Sequence, residues 1–574
     1  MFRSFLKRHF WLILTIILTI PAFIWFLKPG QYYNMHDDMQ VIRQLQLEKC
    51  LIDGQIPCRW SPDLGYGYGY PLFNFYPPLP YIVGQVFRTL GFSFIATVKL
   101  AAIAQILFSS LAMYLLASSI FGPLGGSLAA LFLTYAPYHA VNIYVRGAMN
   151  EAWASVFFPL IFYFSMLLIQ KDKKIFGILG LGLSFTGLLL SHNPMALTFV
   201  SFLSVWIIYW LLTNPKNKIK KSVKSLLISG LLVIGLSSFY TLPVLFETKY
   251  VQINNMFENY YHYSVHFVSY FQLFFSNFWG DGSSVWGTED KMSFMIGYLH
   301  WIIPLLTSIY FALHFIKKKK LTKLQYLTLI LILLGFFSAF MTHQKSLLIW
   351  TVISPIQKVQ FPWRFLNHTV FLLSLSVAYL AVFIKKMSII KKQLFYSFTI
   401  VILFLLNLNY FHPLVQGPIT DEQKFSGQAW TNLVTSGITD YLPKTSPKAP
   451  QSAANFVVDE ISSVNSAQVS GLKKGTDWLF FNANVIDKST ITIAQIYYPG
   501  FQITDNNKTI KFKTDPEYGR MQIELSPGYH QIYVKLQNTP IRLISNYISF
   551  LTWLSLLIFL TYQLYGKIHQ RRRN

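Results

Sequence analysis

Carboxylates are scarce in this chain, and two of them stand side by side. The sequence has 23 acidic residues among 574, against 48 lysines and arginines. Asp37 and Asp38 lie in "YYNMHDDMQ", directly after His36 and shortly past an apolar run. A carboxylate is the expected group for drawing a proton from a hydroxyl nucleophile. A third acid, Glu151, follows His139 and Arg146 in "YHAVNIYVRGAMNEAW", and His192 stands in "SHNP". Arg364, in "VQFPWRFLNHTV", carries a planar fork that fits phosphate oxygens, and Lys358 precedes it closely.

Each of these residues also has a plainer reading. The three acids suit the first turn of a helix, where negative charge meets the positive end of the dipole. His139 suits a hydrogen-bonded ring at a membrane interface. Arg364 can reach up to lipid headgroups instead of a substrate. Chemistry gains weight from location, because ionisable groups near membrane depth are costly and commonly functional.

The elements that must position them are membrane spans. Hydrophobic residues make up 53% of the chain, charged residues only 12%, and mean hydropathy is +0.40. Twelve apolar runs are long enough to cross a bilayer. They lie near 10–27, 93–117, 123–140, 151–170, 174–191, 195–213, 224–245, 296–316, 323–341, 364–384, 393–411 and 543–566. With the N-terminus in the cytoplasm, the basic clusters beginning at Lys171, Lys216, Lys317, Lys385 and Arg571 all fall inside. That pattern accounts for the net charge of +25 and excludes nucleic acid as a partner. The first run has a basic start but no small-residue cleavage site, so it reads as a retained anchor.

All the candidate residues then share the outer side. The outer loop 28–92 includes the amphipathic stretch from Met39 to Leu47, followed by "RWSPDLGYGYGYPLFNFYPPLPY". Rings such as Tyr76 suit either a membrane interface or the face of a sugar. The regular glycines follow no βαβ pattern, so no nucleotide phosphate loop is read there. Cys50 and Cys58, the only cysteines, fall in this loop; they are either a disulfide clip or two free thiols. After about Asn455, "WLFFNANV", "STITIAQIYY", "KTIKFK", "RMQIEL" and "HQIYVKL" alternate like strands between turn residues. The expected architecture is an all-α polytopic membrane protein with a small extracytoplasmic β-sandwich near the C-terminus. Its domains are 1–411, spanning the membrane; 412–541, outside and mostly β; and 542–574, a last span with a basic cytoplasmic tail.

The chain resembles bacterial membrane glycosyltransferases of the GT-C superfamily. More closely, it is similar to the membrane proteins grouped as "6-pyruvoyl-tetrahydropterin synthase-related", of YfhO-like type. The tracts that carry this are "HDDMQVIRQLQ", "GQIPCRWSPDLGYGYGYPLFNFYPPLPY", "RGAMNEAWA", "SHNP", "QFPWRFL", "YLP" at Tyr441 and "YYPGF" at Tyr497. No soluble synthase domain or zinc-binding histidine set accompanies them, so the group's label implies no pterin chemistry.

The resemblance implies transfer of a sugar from a polyprenyl-phosphate donor to a hydroxyl or amide acceptor, with inversion, on the outer face of a bacterial plasma membrane. The acceptor would be a glycan, lipid or protein, and membrane lipids would surround the site. Asp37 matches the family's acidic residue in the first outer loop, and Glu151 matches a second acid in the next. The resemblance also implies that a divalent cation, Mg or Mn, could be held by Asp37, Asp38 and Glu151, but the adjacent Asp37 and Asp38 depart from the family's Asp-x-Asp spelling, which weighs against a shared metal site. Asp37 would act as base, Arg364 with Lys358 would steady the leaving phosphate, and His36, His139, Arg146, His192 and Tyr76 would line the substrate site. Two other classes stand beside this one: a transporter or flippase, and a non-catalytic envelope-assembly factor on the same scaffold. A transporter of the common twelve-span kind would show two related halves, and no internal repeat is visible. Reporter fusions at Lys319 and Asn455 test the topology: they should report opposite compartments, and identical compartments would overturn it.

Overall fold

Apolar runs of this length fold as helices, because only a helix satisfies its own backbone polar groups in lipid. The computed structural model describes residues 2–170, 174–287, 291–462 and 466–573. The first three residues of the basic cluster at Lys171 lie outside that set. Among the described residues, eleven helices are long and apolar enough to cross a membrane. They are built on α1 (Phe2–Thr19), α3 (Phe94–Thr134), α4 (Met149–Gln170), α5 (Lys174–Ser191), α6 (Asn193–Thr213), α7 (Lys216–Glu247), α8 (Tyr298–Lys318), α9 (Lys323–Phe340), α10 (Leu366–Val377), α11 (Ile389–Asn407) and α12 (Pro540–Arg573). A further helix, α2 (Gln40–Ile52), lies in the segment between α1 and α3.

The difference between eleven and twelve lies at Gly122. Its φ of 84° breaks α3 just before Pro123. A Cβ on Gly126 would lie 2.7 Å from Ser118 Cβ and 3.0 Å from the Tyr114 carbonyl. A straight helix would hold Tyr114 about 18 Å away along the axis. The chain therefore doubles back, and α3 contains two of the expected runs. Both arms bond to α1: Thr15 to Ser127 at 2.7 Å and Thr19 to Ser110 at 3.1 Å. The second arm does not continue to 140. It ends at Thr134 and passes through a one-turn helix, Pro137–Ala140, into a π turn, Val141–Val145.

The chain divides into two compact units. The first comprises 1–40, 86–231 and 257–420; the second comprises 41–85, 232–256 and 421–574. These cut across the expected boundaries at 411 and 541. The first unit has an aromatic core, in which Phe158 stacks on Phe199 at 4.5 Å and Phe162 on Trp206 at 4.3 Å. Glycines let α5 approach α4 closely: Cβ atoms at Gly180 and Gly187 would lie within 2.2 and 2.3 Å of the Phe164 and Phe157 rings. A two-stranded ladder of β1 (Gln31–Tyr33) and β2 (Gln416–Pro418) secures the segment that leads to Asp37.

In the second unit the segment 41–85 packs on the β region through buried polar contacts. Cys50 and Cys58 form a disulfide. Asp53, between them, accepts from Thr476 N (2.6 Å), Thr476 Oγ1 (2.7 Å) and Trp478 Nε1 (3.1 Å). That is why 41–85 goes with the β region. Helix α2 is not half-exposed as an amphipathic stretch would be, since Arg43, Gln44 and Gln46 are buried. Within "GYGYGY", Gly65, Tyr66, Gly67 and Gly69 all have positive φ. The Gly67, Tyr68 and Gly69 N–H groups bond back to Asp63, Gly65 and Leu64, so this is a self-satisfied turn and no phosphate cradle.

The β region has two antiparallel sheets. One contains β3 (Val458–Ile461), β6 (Ser489–Ile496), β10 (Arg520–Leu525) and β9 (Lys513–Thr514), in that order. The other runs β4 (Ala467–Lys474), β5 (Trp478–Val485), β11 (Gly528–Leu536), β7 (Phe501–Asp505), β8 (Lys508–Ile510). Alternate residues of β5 and β11 are buried, as their sequence period requires. The stretch "KTIKFK" is not one strand: β8 pairs with β7 and β9 with β10, so the chain changes sheets between them. Where α7 meets α12 in this unit, Glu247 at the end of α7 accepts from Arg542 at the start of α12 (2.9 Å), from Asn74 (2.9 Å) and from Thr539 (2.6 Å).

Candidate functional site

The candidate site of the first unit is built where helices end. Glu151 sits in the first turn of α4, and its side chain is 1% exposed. A carboxylate buried so fully must be paired and hydrogen-bonded, and this one is saturated. Oε1 accepts from Tyr138 Oη at 3.0 Å and Asn367 Nδ2 at 2.6 Å. Oε2 accepts from Arg146 Nη2 at 2.9 Å and Arg364 Nε at 3.3 Å.

The two arginines reach Glu151 from different directions. Arg146 follows the π turn, where its N–H bonds the Val141 carbonyl five residues back. Such turns are frequent at functional sites. Its guanidinium lies over the Trp363 ring, 4.3 Å from the centroid, and also donates to Tyr138 and Asn142. Arg364 precedes α10, and its Nη1 donates to the Val359 carbonyl (2.7 Å) and Gln360 Oε1 (3.3 Å). Asn142 and Asn367 bond to each other at 3.0 Å and close the ring of contacts. Two guanidiniums against one carboxylate leave the cluster with a surplus positive charge. Among the described residues, Arg146 Nε and Arg364 Nη2 have no hydrogen-bond partner. The buried Trp363 Nε1 has none either. The cluster is rich in donors and short of acceptors, which suits an anion.

Asp37 and Asp38 lie in a turn just before α2, not in the helix itself. The turn is zipped to the segment after the π turn. His36 N donates to the Val145 carbonyl at 2.9 Å and Asp37 N to the Arg146 carbonyl at 2.8 Å. Gln40 Nε2 bonds Asp37 Oδ2 at 3.3 Å and the Gly147 carbonyl at 2.8 Å. The two carboxylates diverge, since Asp38 accepts from Tyr32 Oη at 3.2 Å. Asp37 is close enough to the Arg146 guanidinium to help hold it in its charged form. A small cavity beside the turn is lined by Met35, Gln40, Gln105, Asn142, Gly147 and Met149.

The other expected residues are placed as follows. His192 caps α6, its Nδ1 accepting from Met195 N at 3.2 Å. Burial, and then the neighbouring Arg364, push its imidazole down to about 3, so the ring is neutral. His139 is held between the Thr134 carbonyl (3.0 Å) and Gln105 (3.1 Å), with no bond to the Glu151 cluster. His36 is exposed, and Lys358 is exposed beyond a one-turn helix. Tyr76 belongs to the second unit, where Arg43 donates to its hydroxyl at 2.8 Å. Among the described residues no three His, Cys, Asp or Glu side chains gather to hold a metal ion. The expected set of Asp37, Asp38 and Glu151 does not fit one, because the Glu151 oxygens are occupied by four donors and the two aspartates turn apart. Tyr138, Gln40, Asn142, Trp363 and Asn367 were not singled out by the sequence, although uncharged polar groups at the ends of apolar runs were a visible signal.

No family model matches the chain. An uncharacterized protein of Lactococcus lactis subsp. cremoris is 25% identical over 248 residues, which is 42% of this chain and 39% of the relative. Among solved structures, the chain is similar to ArnT from Cupriavidus metallidurans bound to undecaprenyl phosphate, at 12% identity and a TM-score of 0.38 over 69% of this chain and 64% of that one. It is similar to the oligosaccharyltransferase AglB from Archaeoglobus fulgidus, in complex with an inhibitory peptide and a dolichol-phosphate, at 13% identity and a TM-score of 0.45 over 78% and 61%. It is also similar to the arabinofuranosyltransferase AftD from Mycobacteria, at 12% identity and a TM-score of 0.38 over 75% and 27%. The chain thus spans less than two thirds of each of these proteins, and at these scores no residue role is carried over from them.

Removing the charge at the centre of the cluster should be costly. Glu151→Gln removes the carboxylate that both guanidiniums share, a change worth about 3–5 kcal/mol. Thermal unfolding in detergent should show a clear loss of stability. An unchanged melting temperature would mean that the arginines do not depend on Glu151.

Proposed function

We propose that the protein is a membrane glycosyltransferase of GT-C type that moves a sugar from a polyprenyl-phosphate-linked donor to a hydroxyl of a glycan, lipid or protein acceptor. The observation that carries this reading is the buried Arg146–Glu151–Arg364 cluster, with its surplus positive charge and unused donors, beside a carboxylate zipped to the Arg146 backbone. The resemblance of its sequence tracts to the pterin-synthase-related, YfhO-like group favours the same class. The reaction would take place on the outer face of a bacterial plasma membrane.

In this reading the donor phosphate meets the free edges of Arg146 and Arg364, which bind it in the planar geometry that guanidinium groups favour. Trp363 backs Arg146 and keeps it in place. The acceptor oxygen attacks the anomeric carbon from the side opposite the phosphate. Its bond to that carbon forms as the carbon–oxygen bond to the lipid phosphate breaks, so configuration inverts. The acceptor proton passes to the Asp37 carboxylate. The electron pair of the broken bond stays on the phosphate oxygen, where the two guanidiniums meet the growing negative charge. Glu151 takes no proton in this scheme, because its lone pairs are committed; it fixes the arginines. No step is assigned to a metal ion.

The test is incubation of the purified protein with a panel of polyprenyl-phosphate sugars, with donor consumption read by mass spectrometry. At least one donor should release free polyprenyl phosphate; consumption of none would overturn the reading. Arg364→Lys keeps the charge but loses the fork. It should weaken polyprenyl phosphate binding by about 10–100-fold, the worth of a charge-assisted hydrogen bond. Unchanged affinity in both Lys and Ala variants would leave Arg364 as a counter-ion of Glu151 with no part in donor binding.

A further inference from the structure

We infer that the exposed face of the five-stranded sheet is a binding surface for a neutral oligosaccharide. It holds whether or not the chain transfers sugar. Alternate residues of a strand share a face, and so do residues directly opposite each other in a ladder. Tyr529, Gln531 and Tyr533 of β11 stand opposite Asn484, Asn482 and Phe480 of β5. On β4, Gln468 and Ser470 stand opposite the same two asparagines, and on β7 Thr504 stands opposite Tyr533. These residues form one surface within one compact unit. Tyr529 is 57% exposed and Tyr533 38% exposed, whereas the alternating Ile532 and Val534 are fully buried.

The chemistry of this face differs from that of the other sheet. There Glu524 of β10 lies between Lys513 (2.8 Å) and Lys488 (3.5 Å), and the surface is charged. Here the charged groups stand at the margins. Lys535 is paired with Asp477 at 2.6 Å, and Lys473 lies on β4 past the register shift. Between them come rings and amides. Among the described residues, the side chains of Gln468, Asn482, Asn484 and Gln531 make no hydrogen bond within the chain. Asn482 is the most informative of the four. Gly471 has a φ of +63°, and a Cβ there would lie 2.7 Å from Asn482 Nδ2, so the amide lies over this glycine. Its Oδ1 is covered and has no hydrogen-bond partner. A covered acceptor of this kind calls for a donor. Tyr533 is set in place by Trp478, with ring centroids 6.2 Å apart, and Trp478 Nε1 is itself bonded to Asp53 at 3.1 Å. Sugar rings match such a surface. Their C–H faces lie on aromatic rings, and their hydroxyls both donate to and accept from amides. An acidic glycan would call for cations at the centre of the face. Tyr529 and Tyr533 stand four residues apart, about 13 Å along the strand. A ligand that touches both rings therefore has more than one sugar unit.

The test uses the full chain in lipid nanodiscs, with no donor present. Cellotetraose, maltotetraose and chitotetraose are titrated and followed by saturation-transfer NMR. At least one should bind saturably, with an affinity that barely changes between about 50 and 500 mM salt, since no charge pairing is involved. Tyr529→Ala with Tyr533→Ala should weaken that binding by about tenfold or more, given the usual worth of ring contacts. Asn482→Ala should weaken it by about 3–10-fold, the worth of a hydrogen bond. Lys513→Ala, on the other sheet, should bind as wild type does. If Asn482→Ala does not accumulate in the membrane, the two exposed tyrosines carry the test. Binding of none of the three sugars overturns the inference, as does binding that the tyrosine changes leave intact. A dimer that the tyrosine changes dissolve, in a protein that binds no glycan, would assign the face to a second copy of the chain and overturn it too. A wild type that binds glycan but consumes no donor keeps this inference and overturns only the transferase reading.

Discussion

The site depends on one buried charge. Glu151 draws two guanidiniums, a phenol and an amide onto a single carboxylate, and the partners come from two stretches of chain, Tyr138 with Arg146 and Arg364 with Asn367. Arg364 lies 213 positions from it in sequence. Buried, the attraction between these charges is strong, and so is the cost of leaving any of them unpaired. The ends of α4 and α10 and the segment after the π turn are thereby held together at the point where the apolar helices stop. Both guanidiniums share the one Glu151 carboxylate and keep unused N–H donors, which gives the cluster capacity for a further acceptor.

The second constraint is main-chain contact. The turn bearing Asp37 is bonded to residues 145–147, and Gly147 has no side chain because Met35 occupies that space. The π turn widens the helix just before Arg146, aiming its guanidinium at Glu151 and Trp363. In this account a carboxylate and a phosphate-binding pair are fixed relative to each other through a few backbone bonds, and the long helices serve to keep those bonds dry and in register.

Much of this was legible in residue types and their distribution. Long apolar runs marked where the membrane-spanning helices lie, because the bilayer sets a minimum helix length. The reversal at Gly122 left a weaker trace, since a tight helical turn needs only one glycine and a proline. Strands β5 and β10 match "WLFFNANV" and "RMQIEL" residue for residue. Strands β3 and β4 escaped notice, and both carry a register shift that interrupts the period of two. Asp37, Glu151 and Arg364 stood out because charge is rare near apolar runs. Which of them would meet did not follow from spacing, as the contacts join segments far apart in sequence. Glu151 looked like a second catalytic acid by position, and only its four donors mark it as a counter-ion. Asn142 and Asn367 are uncharged, and asparagines in helical stretches carry no signature until their partners are known.

The central claim is a division of labour, with Asp37 moving the proton and the Glu151 cluster holding the phosphate. It is tested most directly by Asp37→Asn in purified protein, with donor binding and single-turnover transfer measured on the same sample. The substitution is close to isosteric and removes a proton acceptor. The account predicts donor binding within about twofold of wild type and transfer slowed by about 10²–10⁴-fold, the usual worth of a general base. Transfer at near wild-type rate would contradict it and return the turn before α2 to a purely structural role.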